Sequence, residues 1–164
     1  MIFVTVGTQL PFDRLIRGMD VWAKANPGVD VIAQTGRLGS ENYVPENMEH
    51  APSFDPETFD AHCQNAQLIV AHAGTGTLMK AQACATPLLM MPRQAQLGEH
   101  RNDHQVAMAN GFRDKLGLQL VFEEDALPAA VDAQLAGDPQ PPQLQELADD
   151  TLIAALRTVI FDAT

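Results

Sequence analysis

The run Leu68-Ile69-Val70-Ala71-His72 is apolar up to its last position and passes directly into Gly74-Thr75-Gly76-Thr77. An extended segment points alternate side chains to opposite faces of a sheet, so a run without polar alternation is covered on both faces. Parallel sheets flanked by helices meet that demand. Other segments repeat the pattern: Ile2-Phe3-Val4-Thr5-Val6 ends in Gly7-Thr8-Gln9, and Leu88-Leu89-Met90-Met91 is closed by Pro92. Val29 to Gln34 reads as a further strand, followed by a loop over residues 36–47. Weaker strands are expected over Met48 to Phe54 and Leu118 to Phe122.

Helical spacing fills the intervals. Leu15, Ile16, Met19 and Trp22 share one face of a helix from Asp13 to about Asn26, which Asn26-Pro27-Gly28 stops. Further helices are expected from Asp55 or Pro56 to Asn65, from the Gly/Thr turn to Thr86-Pro87, and from Asn102 to Lys115. Two more, Asp125 to Ala136 and Leu144 to Phe161, flank an Asp138-Pro139-Gln140-Pro141-Pro142 break. The expected fold is therefore α/β, a doubly wound parallel sheet in one domain over residues 1–164, with 143–162 an amphipathic C-terminal helix. Ligands of such sheets lie at the carboxyl ends of the strands where the strand order reverses. If the first strand and the Leu68 to His72 strand are neighbours there, the loops at Gly7 and Gly74 meet.

Composition narrows the function classes. A chain of 164 residues with 46% hydrophobic and 19% charged residues is neither disordered nor a coiled coil. Its longest apolar runs fall far short of the ~20 residues that span a bilayer, and no basic stretch precedes Ile2 to suggest a cleaved signal. Two cysteines, Cys63 and Cys84, make no disulfide framework and are expected as buried small hydrophobes in a reducing cytoplasm. The net charge of −11 is concentrated at the end of the chain, where residues 123–164 hold nine acids against Arg157 alone. That balance gives little electrostatic reason to bind nucleic acid. The acidic third is a solvated face or a docking surface for a basic partner.

Two segments carry chemistry. In His72-Ala73-Gly74-Thr75-Gly76-Thr77 the glycines allow close backbone approach, and a following helix amino terminus offers free N–H groups that suit a diphosphate. The turn matches neither dinucleotide nor Walker patterns: Met79 stands where a third glycine belongs, and no Gly-Lys-Ser/Thr closes it. Its other reading is a plain connection. The second segment, Glu99-His100-Arg101-Asn102-Asp103-His104-Gln105, concentrates hydrogen-bonding groups that suit sugar hydroxyls. Alternatives are a solvated helix cap with Asn102 or Asp103 at the N-cap, or a metal held by His100 and His104 with Glu99.

Together these residues, with Ala83, Pro87, Met91-Pro92-Arg93 and the opening Ile2 to Gln9 and Pro11-Phe12-Asp13, resemble the glycosyltransferase family 28 C-terminal domain over roughly residues 1–122. The opening resembles that of stand-alone members, the donor-binding small subunits of two-part transferases. The resemblance implies the C-terminal, donor-binding half of a GT-B fold. It implies a UDP-sugar site formed by Gly7, Thr8, Gln9, Gly74, Thr75, Gly76 and Thr77, with His72, Glu99, His104 and Gln105 at the ligand and Arg93 near nucleotide or sugar. One departure stands out: related full-length enzymes place a ribose-binding glutamate where this chain has Lys80.

The UDP-sugar is a substrate, and neither a metal nor another cofactor is expected. A site without metal stabilises the departing diphosphate by helix dipole and hydrogen-bond donors. The base that activates the acceptor is expected on a partner chain, with His72 the weaker candidate. The expected partner is a membrane-anchored, acceptor-binding subunit that holds a lipid-linked saccharide, which places the chain in the cytoplasm at the inner membrane face. The apolar stripe from Leu144 to Ile160 either covers the chain's own sheet or helps dock that partner. The favoured donor is UDP-glucuronic acid in exopolysaccharide synthesis, its carboxylate paired with Arg93 or Lys80. UDP-N-acetylglucosamine is the rival donor. A non-catalytic nucleotide-sugar-binding regulatory module is the alternative of another class, and a self-contained enzyme that pairs two copies of the chain is a third reading.

Overall fold

The computed structural model describes residues 1–8, 10–116 and 118–142. Gln9 and the expected helix over 143–162 lie outside the described residues. Six strands form one parallel sheet: β1 (Ile2–Thr5), β2 (Val31–Gln34), β3 (Glu49–Ala51), β4 (Leu68–His72), β5 (Leu88–Met91) and β6 (Gln119–Leu120). Their order is β3-β2-β1-β4-β5-β6, so the direction of winding reverses between β1 and β4. This is the expected doubly wound α/β architecture.

The alternation of strand side chains builds two cores. Ile2, Val4, Val70, Leu89 and Met91 point to one face, where α1 (Asp13–Ala25) packs through Leu15, Ile16, Met19 and Trp22. On the same face α5 (Leu127–Ala136) adds Leu127 and Val131, and Asp132 accepts a 2.7 Å hydrogen bond from the Trp22 indole. Phe3, Ile69, Ala71, Leu88 and Met90 point the other way, under α2 (Pro56–Asn65), α3 (Thr75–Ala83) and α4 (His104–Leu116). Across that face the three helices follow the strand order, with α3 between α2 and α4.

Element ends follow local chemistry. Asp55 caps α2 by accepting from Thr58 N at 3.0 Å, with Pro56 in the first turn. The strand expected over Met48 to Phe54 is confined to Glu49–Ala51, because Pro52 has no N–H and the Phe54 N–H is taken by Gln34 Oε1 at 3.1 Å. The helix expected to reach Thr86 ends at Ala83. There Ala85 turns left-handed (φ 52°) while Thr86 N bonds Ala81 O and Ala85 N bonds Gln82 O, a Schellman reversal without glycine. Cys63 is buried as expected, and burial pushes its thiol up to about 12. Cys84, read as buried, is only half-buried. No described helix is long and apolar enough to cross a membrane.

Candidate functional site

At the carboxyl ends of β1 and β4 a cleft of about 690 Å³ opens between the loop after β1 and the amino termini of α3 and α4. The sheet places it there: β1 and β4 are adjacent, and their crossovers leave in opposite directions. Of the residues expected at the ligand, Gly7, Thr8, His72, Gly74, Thr75, Gly76, Thr77, Arg93, His104 and Gln105 line this one cleft.

His72 stands at the centre. Its ring is wedged between the two glycine loops: a Cβ on Gly74 would lie 2.3 Å from Nε2, and one on Gly7 would lie 2.9 Å from Cε1. Gly7 also takes a left-handed φ of 82°. Burial, reinforced by the nearby Arg93 charge and only opposed by the Thr5 main chain, pushes His72 down to about 4. The imidazole is therefore neutral at pH 7, and its buried Nδ1 makes no hydrogen bond.

The amino terminus of α3 faces the same space. Gly74 is its N-cap and brings no capping side chain, and the first intrahelical bond runs from Leu78 N to Gly74 O at 3.1 Å. The N–H groups of Thr75, Gly76 and Thr77 thus have no acceptor within the helix. A Cβ on Gly76 would meet nothing within 4 Å, so this turn is open to a ligand. The α4 end contributes Gln105, whose Oε1 accepts from Arg93 N at 3.1 Å, and His104, whose Nδ1 meets Asn102 Oδ1. His104 lies edge-on to His100, ring centroids 4.5 Å apart. Asp103 occupies the N-cap position of α4 and accepts from Ala107 N through its carbonyl, while its carboxylate accepts from Ala95 N instead.

Arg93 is 2% exposed, and its guanidinium donates to three main-chain carbonyls: Pro11 and Leu10 at 2.7 Å and Val6 at 3.1 Å. It also stacks 4.5 Å from the Phe12 ring centroid. Burial lowers it to about 10, so it remains charged at pH 7. Its hydrogen-bond partners among the described residues are neutral, which leaves a buried positive charge beside the cleft uncompensated by a bonded carboxylate.

Glu99 departs from expectation. Its carboxylate accepts from Arg14 Nε at 2.7 Å and Nη2 at 2.8 Å, and from Gln94 N at 2.9 Å. It pins the loop after β5 to α1 and does not line the cleft. It is therefore unavailable to His100 and His104, and among the described residues no group of three metal-binding side chains comes together.

Gln34, Phe54, Phe59 and Asp60 are among the cleft residues that escape a motif reading. Gln34 donates to Gly7 O at 3.3 Å while its oxygen holds Phe54 N, so one buried amide ties two walls together. Phe54 and Phe59 pack around Phe3 at the α2 side. Asp60 Oδ1 lies 2.7 Å from Lys80 Nζ, and that hydrogen bond raises the Lys80 ammonium above its usual range.

Comparison with solved structures finds the same fold at low identity. ALG13 matches with a TM-score of 0.61 and 18% identity, over 98% of this chain and 94% of that one. MurG of Acinetobacter baumannii matches with a TM-score of 0.57 and 16% identity, over 81% of this chain and 40% of that one. CalG4, the calicheamicin glycosyltransferase, matches with a TM-score of 0.60 and 19% identity, over 84% of this chain and 34% of that one. The chain thus spans about a third of the length of the first glycosyltransferases it matches. No curated protein sequence matches it. The family model for the glycosyltransferase family 28 C-terminal domain matches residues 1–156, and the chain belongs to that family.

Proposed function

We propose that the cleft binds a nucleoside-diphosphate sugar and that the chain is the donor-binding part of a glycosyltransferase. The observation that carries this reading is the open amino terminus of α3 at Gly76 beside the buried cation of Arg93. Free N–H groups, the helix dipole and a fixed positive charge converge where a diphosphate would lie. The same groups would stabilise the diphosphate as it leaves, without reorganisation during the reaction. The aromatic α2 side suits a nucleoside base, and His104 with Gln105 suits the sugar.

The acceptor is brought by another chain. The resemblance to stand-alone family members supports this, and the cleft opens to solvent. His72, held near 4, is a weak proton acceptor at pH 7, so the base comes from that partner. A membrane-associated subunit carrying a lipid-linked saccharide is the partner that the resemblance to stand-alone members supports, with the chain at the cytoplasmic membrane face.

The donor sugar is neutral in this reading. Of the two cations expected to meet a uronate, Lys80 is paired with Asp60, and Arg93 is buried with its Nη groups on three carbonyls, so its charge acts on the cleft without a direct contact to the sugar. UDP-N-acetylglucosamine is therefore better supported than UDP-glucuronic acid. Thermal-shift titrations of wild type and Gly76→Trp test both points. UDP-N-acetylglucosamine should stabilise wild type more than UDP-glucuronic acid does, and should leave the variant's midpoint unmoved. A variant that responds like wild type contradicts the site, and a preference for the uronate contradicts the donor.

A further inference from the structure

We infer that Arg14 and Glu99, an ion pair outside the cleft, are positioning residues that set its sugar-binding end through Gln105. The inference rests on the donor reading above and adds to it the part that aligns one sugar contact. The pair is nearly buried, its side chains 10% and 13% exposed. It joins the start of α1 to the loop after β5, across 85 residues of sequence. Two parallel bonds, Nε to Oε1 at 2.7 Å and Nη2 to Oε2 at 2.8 Å, fix both planes against each other.

Peptide geometry carries that rigidity to the cleft. Arg14 Nη2 donates to Pro92 O at 3.0 Å, while the N–H of the same peptide unit, that of Arg93, donates to Gln105 Oε1 at 3.1 Å. The unit is planar and trans, so its C=O and N–H point in opposite directions and turn together. Glu99 Oε2 accepts from Gln94 N at 2.9 Å, which fixes the next peptide unit as well. Arg14 Nη1 and Gln94 Nε2 both donate to Phe122 O, so the strut is also tied to the segment after β6. The Arg93 N–H thus stands where α1 and Phe122 hold it, and it aims Gln105.

The chemistry of the amide says what Gln105 then offers. A backbone N–H opposite it requires the amide oxygen there, which leaves the two Nε2 hydrogens as donors for the cleft. Gln105 is 6% exposed, so its side chain has little room to recover that aim once the Arg93 N–H moves. A sugar oxygen accepts from such a donor, and UDP without its sugar offers none at that end. The Arg93 guanidinium is held separately, by the carbonyls of Val6, Leu10 and Pro11, so the charge beside the diphosphate does not depend on the strut.

The test measures affinities for UDP, UDP-N-acetylglucosamine and UDP-glucuronic acid by calorimetry in wild type, Glu99→Ala, Glu99→Gln, Arg14→Lys and Gln105→Ala. The readout is the affinity for the preferred UDP-sugar divided by that for UDP, a ratio in which any loss of folded protein cancels. Glu99→Ala and Arg14→Lys should lower it by on the order of tenfold, the scale of one lost hydrogen bond, with UDP itself within about twofold of wild type. Arg14→Lys keeps the charge and loses only the fork, so it decides the matter should Glu99→Ala not fold. Glu99→Gln, which still accepts from Gln94 N, should retain part of the ratio. Gln105→Ala should lower the ratio as far, and Glu99→Ala added to it should lower it no further. The inference is overturned if the Glu99 and Arg14 variants keep the wild-type ratio, if they weaken UDP equally, or if their effect persists in full without Gln105. Wild type that binds UDP but neither UDP-sugar also overturns it and leaves the diphosphate site standing. Wild type that binds none of the three overturns the donor reading itself, and this inference with it.

Discussion

A Cβ placed on Gly74 would stand 2.3 Å from Nε2 of His72, a separation no real side chain tolerates. The backbone of Gly74 itself is ordinary (φ −111°, ψ 136°), so the demand for glycine there is purely one of space. Gly74→Ala should cost about 1–3 kcal/mol and move the turn that opens α3. His72→Ala in the same chain should return most of that stability, a strong non-additivity visible in a double-mutant cycle of denaturant midpoints.

The neutral state of His72 has a pH signature. Its folded-state value near 4 lies below the ordinary 6.5, so the folded protein refuses a proton that the unfolded chain accepts. The contribution is fully present above pH 6.5 and is lost as pH falls from there to about 4, at about 1.4 kcal/mol per unit. Urea unfolding between pH 7 and pH 4 should show this slope in wild type and a flatter one in His72→Gln.

Asp20 is 2% exposed and anchors the loop over residues 42–47 to α1. It accepts from the Tyr43 hydroxyl at 2.6 Å, from Asn47 N at 2.7 Å, from Glu46 N at 3.1 Å and from Asn47 Nδ2 at 3.0 Å. Burial alone would raise its carboxyl, but these bonds together leave it lowered, and Tyr43 is raised to about 12. Asp20→Ala removes four hydrogen bonds to a nearly buried carboxylate and should cost about 2–4 kcal/mol by urea unfolding, against about 1 for Tyr43→Phe.

Ala85 holds φ 52° in the reversal between α3 and β5, a conformation that disfavours every residue with a Cβ. Ala85→Gly should raise stability by about 0.5–1 kcal/mol, despite the added freedom of the unfolded chain. Thermal unfolding measures it.

The sheet was legible because its strands are short, apolar and separated by helical periods, which few other arrangements accommodate. That the Gly/Thr turn and Gln105 meet at one cleft was legible for a related reason: each opens the helix that follows a strand, and their spacing is distinctive. Glu99 was misjudged because its partner, Arg14, is 85 residues away in sequence, so nothing nearby distinguished a structural carboxylate from a ligand contact. Asp60 and Phe54 went unread since each reaches the cleft only through the packing of α2 beside α3. Ala85 broke the helix end forecast because alanine carries no signal for a left-handed turn.

The central claim is that a diphosphate rests on the amino terminus of α3. Backbone amide shifts of labelled protein titrated with UDP test it most directly. The account predicts that the largest changes fall on Thr75, Gly76 and Thr77 with Gly7, and that Phe54 and Phe59 follow. Changes confined to the opposite ends of the strands, where Asp30, Val31 and Glu49 line a separate hollow of about 380 Å³, would contradict it.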